Sequence, residues 1–124
     1  MQFLDAETRR QLGFDEIWSR ITPVSALGRA RQRKAKAFLP EQAADLQAEL
    51  ARLERVSLRL RQEREIATEL SYLLSMLRDV SGSLHRSLQG AILDDMEFYE
   101  IKKLLLITEK VQTELERLQW TSLL

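Results

Sequence analysis

One stretch of the chain decides the fold class: residues 94–118 read DDMEFYEIKKLLLITEKVQTELERL. Asp94 followed three residues later by Glu97 is the pattern of a capping box, in which each side chain accepts a hydrogen bond from the other residue's backbone N–H at a helix start. Apolar residues then recur at spacings of three and four, the period of a helix with one buried face. The sequence predicts a helix over about 95–118 with these residues on one face: Phe98, Ile101, Leu104, Leu105, Val111, Leu115 and Leu118.

The rest of the chain has a helix-forming composition. Its 124 residues include only four glycines and two prolines, and 23 leucines outnumber the ten valines and isoleucines, which favours helices over strands. Apolar and polar residues nowhere alternate strictly, so no sheet is predicted. The expected blocks are a first helical block capped by Asp5 and stopped by Pro23, a short helix over 26–37 capped by Ser25, a long helix over about 41–78, a short segment over 83–88 and the helix over 95–118.

Together these blocks predict an all-α fold, a helical bundle of about four to five helices with two long helices (about 41–78 and 95–118), as a single domain over residues 1–124. The apolar pattern of the first long helix lapses at residues 61–65, which are all charged or polar. An exposed turn of helix and a true break both fit that gap.

The first long helix carries a leucine-rich stripe: Leu46, Leu50, Leu53, Val56 and Leu60. It has two interpretations, packing inside the domain or coiling against a second chain. Ser57 and Arg64 interrupt a heptad pattern, so packing inside the domain is favoured.

Composition and motifs argue against catalysis in this chain. No cysteine is present, and neither of the phosphate-binding motifs Gly-x-x-x-x-Gly-Lys-Ser/Thr and Gly-x-Gly-x-x-Gly occurs. We therefore predict no enzyme and no cofactor here. His85 is the only histidine and fits a surface position; Asp94 and Asp95 fit helix capping better than a metal or acid–base site. The start of the chain lacks a signal-peptide pattern, and no run of about 18 apolar residues exists. A cytoplasmic protein without membrane or small-molecule partners is expected.

A basic run is the one candidate for nucleic-acid contact. The 19 basic and 19 acidic side chains cancel overall, so any such contact must be local and weak. A solvated helix face, paired with acids of the next helix, is the favoured interpretation, and Arg29, Arg33 and Lys36 are expected on one side of a helix. The candidate contact residues are Arg29, Arg31, Arg33, Lys34 and Lys36.

Two groups of short motifs occur in a distinctive order. The first runs Leu12-Gly-Phe14-Asp-Glu-Ile17, then Ser25-Ala-Leu27-Gly28-Arg29, then Leu39-Pro40. The second runs Leu77-Arg78-Asp79-Val80, then Leu84, Arg86, Gly90, Ile92-Leu93, Asp94 and Glu97-Phe98. In order and spacing they resemble the N-terminal core region of MutS-family ATPases, in particular the branch that lacks the mismatch-reading domains.

The resemblance implies a mechanical role. The parent would be a DNA repair or recombination ATPase that acts on DNA as a homodimer, with ATP and Mg bound only in a downstream domain. This chain would then be the lever-connecting part of the core, linking DNA-clamp helices to that ATPase. No catalytic residue carries over. Glycines 28 and 90 would permit a close approach or a turn, and the resemblance implies these core residues: Phe14, Ile17, Leu27, Leu77, Val80, Leu84, Leu93 and Phe98.

Two other functions remain open from the sequence. One is a free-standing helical module that dimerises through the leucine-rich stripe. The other is a nucleic-acid-binding module that uses the basic run.

Overall fold

The computed structural model describes residues 5–122; residues 1–4 and 123–124 of the predicted domain lie outside that range. Within it the chain forms α-helices and two 3₁₀ turns and contains no strand, so the all-α prediction is confirmed. The helices are α1 (Ala6–Gln11), α2 (Phe14–Ser19), α3 (Ala26–Arg33), α4 (Ala43–Gln62), α5 (Arg64–Ser75), α6 (Ser81–Leu88) and α7 (Asp95–Arg117), and the 3₁₀ turns are Pro40–Gln42 and Trp120–Ser122.

The core is an antiparallel pair formed by α5 and α7. Ile66 and Leu70 near the start of α5 cluster with Leu118, just past the end of α7. At the other end, Arg78 beyond α5 pairs with Glu100 in the second turn of α7, at 3.6 Å. Leu118 is completely buried. Leu60, Val111, Leu115 and Trp120 pack around this cluster.

The predicted long helix over 41–78 is wrong as a single helix, because it breaks at Glu63, where φ is −105° and ψ is 62°. No glycine or proline lies at the break. Leu60 and Ile66 both join the cluster around Leu118, yet residues six apart on a straight helix point about 120° away from each other. The break lets both side chains pack against the same cluster. The second segment ends at Ser75, three residues before the predicted end.

The N-terminal block is also divided. Asp5 caps α1 as predicted: its carboxylate accepts the Thr8 backbone N–H at 2.9 Å and the Thr8 hydroxyl at 2.7 Å. These bonds, the hydroxyl first, lower the pKa of Asp5. Gly13, with φ of +62°, then separates α1 from α2. Arg9 and Asp15 pair across this turn at 2.6 Å.

Helix α3 starts as predicted and stops early. Ser25 is buried, and its hydroxyl accepts the Gly28 backbone N–H at 2.9 Å. The helix ends at Arg33, four residues before the predicted end. Gln32 ties it to the segment after α2 by donating to the Ile21 carbonyl at 2.6 Å.

Gly28→Ala is expected to destabilise the N-terminal helices by about 1–3 kcal/mol. A Cβ on residue 28 would lie 2.9 Å from the Pro23 Cβ and 3.0 Å from the Ser25 Oγ, so the proline or the cap must move. Thermal unfolding followed by circular dichroism measures the loss. Gly82→Ala is the control, because nothing lies within 4 Å of its Cβ position; an equal loss in both variants would contradict the close approach.

Candidate interaction surfaces

The described helices leave much apolar surface in water. The accessible surface of the chain is 10008 Å², whereas a compact monomer of 14.5 kDa would expose roughly 6,900 Å². Of the core residues that the resemblance implies, Val80 is buried, whereas Ile17, Leu27, Leu84 and Phe98 are exposed. That part of the prediction is wrong, because the helices that should cover these four residues do not pack over them. Contiguous exposed apolar surface is typical of interaction sites.

Helix α7 is apolar on two opposite sides. Ile107 and Leu118 face the core, and Leu104, Val111 and Leu115 are half-buried beside them. The outer face, which we define by Phe98, Tyr99, Leu105 and Leu106, is exposed. The predicted single apolar face is therefore wrong: at about 100° per residue, Phe98 and Leu105 lie opposite Ile107. Large apolar side chains exposed together on one side of a helix are typical of an interaction site.

The leucine-rich stripe lies on α4, and we call it the α4 stripe; its first half is an exposed ridge. Leu46, Leu50 and Leu53 are all exposed, with Leu53 at 62% of its maximum, so the favoured prediction of packing inside the domain is wrong for these three. Val56 and Leu60 are half-buried and line an open cavity together with Ala67 and Thr68 of α5.

The second half of the stripe forms a groove. An open cavity of about 700 Å³ lies along the junction of α4 and α5. Arg61 and Arg64 are the charged residues of its lining, and within residues 5–122 neither guanidinium has a hydrogen bond or ion pair. The apolar part of the lining is Leu53, Val56, Leu60 and Ala67, and Ser57 and Thr68 complete it.

The basic run is exposed but does not form one helical face. Arg29 donates to the carbonyls of Pro23 and Val24, at 3.2 and 3.4 Å, and not to an acid of the next helix. Lys36 lies beyond the end of α3, so the predicted sharing of one helix side with Arg29 and Arg33 is wrong. Residues 17–40 nevertheless contain six cations and no acid, which leaves the segment locally basic despite the neutral total.

Glu97 is the best-connected charged side chain at the α6–α7 junction. The capping box is confirmed: the Asp94 carboxylate accepts the Glu97 N–H at 2.8 Å, and Glu97 accepts the Asp94 N–H at 3.0 Å. Glu97 also accepts the Ser83 hydroxyl at 2.8 Å and pairs with Arg86. These contacts fasten α6 to the first turn of α7, and no local sequence pattern predicts them.

The remaining candidates for catalytic or metal-binding residues are exposed or make local hydrogen bonds. His85 is exposed, with its Nε2 3.2 Å from the Gln89 amide nitrogen. Asp95 is exposed in the first turn of α7. Asp79 accepts the Ser81 backbone N–H at 2.9 Å, and hydrogen bonding to Ser81 lowers the pKa of Asp79. Among residues 5–122, no group of three or more potential ligands is placed to hold a metal ion.

No family model, no curated protein and no solved structure matches this chain. The resemblance to the MutS core therefore stays a prediction. In the described part of the chain, no helix has both the length and the apolar character needed to cross a bilayer.

Proposed function

We propose that this chain is a structural and coupling domain of a MutS-related DNA repair or recombination ATPase, located in the cytoplasm. In this role it transmits movement between DNA-clamp helices and a downstream ATPase by holding helices of the larger protein against its apolar faces. DNA contact and homodimer formation belong to the parent protein, and the basic run of α3 contributes at most a weak phosphate contact.

The outer face of α7 is the observation that carries this proposal. A coupling element must resist bending and must contact other parts on more than one side. The α5–α7 pair meets the first requirement, because apolar packing at one end and the Arg78–Glu100 pair at the other join the two helices. The outer face meets the second, because four large apolar side chains on it lack cover.

The test uses the full-length protein. We expect it to hydrolyse ATP with DNA stimulation, and Leu105→Glu to reduce that stimulation by about tenfold or more while basal hydrolysis stays unchanged. Leu88→Glu, the same change at an exposed leucine of α6, is the matched control. The isolated 124-residue chain is expected to bind no ATP by isothermal titration calorimetry. Micromolar ATP binding to this chain, or a full-length protein without ATPase activity, would contradict the proposal.

The second candidate function is a free-standing dimerisation module that associates through the α4 stripe. Exposure of Leu46, Leu50 and Leu53 on one side of a 20-residue helix supports it. Three large apolar side chains in water are costly, and burying each against a second chain recovers about 1.5–3 kcal/mol.

Under this second function, the double substitution Leu50→Glu and Leu53→Glu is expected to convert a reversible dimer into a monomer without loss of helicity. Sedimentation equilibrium and circular dichroism measure the two properties. Leu58→Glu is the matched control: Leu58 and Leu50 are each 57% exposed, but Leu58 lies about 140° around α4 from Leu53. A wild-type chain that stays monomeric at high concentration would remove this candidate.

A further inference from the structure

The α4 stripe reads the same in both directions. Its five residues are separated by steps of four, three, three and four, and Leu53 is the only centre that superposes the stripe on its own reverse. A two-fold contact between identical chains requires a surface that is complementary to itself. In an antiparallel pair of α4 helices with the two-fold axis at Leu53, residues equally far from Leu53 lie at the same height, so Leu46 lies level with the partner's Leu60.

The shape of the stripe favours the same arrangement. The first half is the ridge of Leu46, Leu50 and Leu53, and the second half, Val56 and Leu60, lines the groove together with Ala67 of α5. An antiparallel pair places the ridge of each copy in the groove of the other, so the same contact between ridge and groove forms twice. A parallel pair places ridge against ridge and leaves both grooves open.

The distribution of charge along α4 also favours the antiparallel orientation. Residues 41–54 contain four acids and one arginine, whereas residues 55–64 contain four arginines and one glutamate. Antiparallel packing brings the acidic half of each copy beside the basic half of the other. Parallel packing brings like charge beside like charge over the whole helix, which is unfavourable across an interface.

We propose that two copies of this chain associate through α4 in antiparallel orientation, with the two-fold axis at Leu53. The proposal rests on association through the α4 stripe, the second function above, and specifies its partner and geometry. The acidic half supplies Asp45 and Glu49, which lie level with the basic half of the partner's α4. A 20-residue helix is about 30 Å long, and one helix pair of that length buries less than the roughly 1,600 Å² of a standard interface. The dimer is therefore expected to be reversible.

Distances between labels determine the orientation. The chain has no cysteine, so Gln62→Cys and Ala44→Cys each provide a single attachment point for a spin label, both on the side of α4 opposite Leu53. The two-fold axis at Leu53 separates the two copies of residue 62 by about 27 Å along the helix. In a mixture of the two labelled chains, residue 44 lies level with the partner's residue 62, so the mixed pair gives a shorter distance than either chain alone.

Charge reversal tests the pairing of the two halves. One variant carries Asp45→Lys and Glu49→Lys, and the other carries Arg59→Glu and Arg61→Glu. Each alone is expected to dimerise about tenfold or more weakly, because two like-charged halves meet twice. An equimolar mixture restores opposite charges at both contacts, and we expect its affinity within about threefold of the wild type.

The outcomes separate association through the α4 stripe from the antiparallel orientation of the pair. A wild-type monomer at all concentrations overturns both association and geometry. A dimer with a short distance between the two copies of residue 62 keeps the second function and overturns the antiparallel orientation. A mixture of the charge-reversed chains that associates no better than either alone overturns the pairing of acidic and basic halves. Circular dichroism of every variant confirms that α4 is still folded.

Discussion

Leu118→Ala is expected to lower the free energy of unfolding by about 2–5 kcal/mol, toward the upper end of that range. Leu118 is 0% exposed and lies where α5, the end of α7 and Trp120 meet. Few other residues in the described chain are buried. The rest of the core is therefore too small to compensate for the packing lost at the cavity. Since small domains are stable by only about 5–15 kcal/mol, this single substitution is expected to remove a large fraction of the total stability.

Leu105→Ala is the control for this substitution. It removes the same atoms from the same helix, but Leu105 is 65% exposed on the outer face. Its expected effect is within about 0.5 kcal/mol. Urea unfolding followed by circular dichroism compares the two variants at low protein concentration, where the outer face stays uncovered. Equal losses would contradict the placement of the core at Leu118.

The parts of the fold that local sequence determines were predictable. The capping box of Asp94 and Glu97, the caps at Asp5 and Ser25, and most of helix α7 follow from side chains that interact within one turn. Such contacts depend on spacing along the chain, and spacing is what a sequence displays directly.

The parts that depend on distant segments were not predictable. Periodicity identifies apolar positions on α7, but Leu104, Leu105 and Leu106 are consecutive and therefore point in three directions. Which direction becomes buried depends on where α5 lies. The break at Glu63 has the same origin, because it follows from Leu60 and Ile66 meeting one cluster that includes a residue more than 50 positions away.

The candidate surfaces divide in the same way. The α4 stripe was visible in the sequence, since its residues repeat along one helix. The groove beside it was not, because Ala67 and Thr68 come from the next helix and join the lining only after the chain bends. The contacts of Glu97 with Ser83 and Arg86 likewise span 14 and 11 positions, and no periodic pattern links these residues.

Glu97→Ala is expected to lower the free energy of unfolding by about 2–3 kcal/mol. The substitution removes the acceptor of the Asp94 N–H and of the Ser83 hydroxyl, and it leaves Arg86 without its carboxylate. The Glu97 side chain is only 17% exposed, so water replaces these contacts poorly. Urea unfolding gives the total loss, and amide hydrogen exchange at Asp94 and in α6 locates it.

Two further variants separate charge from hydrogen bonding at this junction. Glu97→Gln keeps one acceptor oxygen but loses the charge that faces Arg86, so an intermediate loss of about 1–2 kcal/mol is expected. Asp95→Ala lies in the same first turn but contributes mainly through the helix dipole, and about 0.5 kcal/mol is expected. If Glu97→Ala cost no more than Asp95→Ala, Glu97 would act only as a first-turn charge. The fastening of α6 to α7 would then have to come from apolar contacts such as those of Val80, because its polar contacts would contribute nothing.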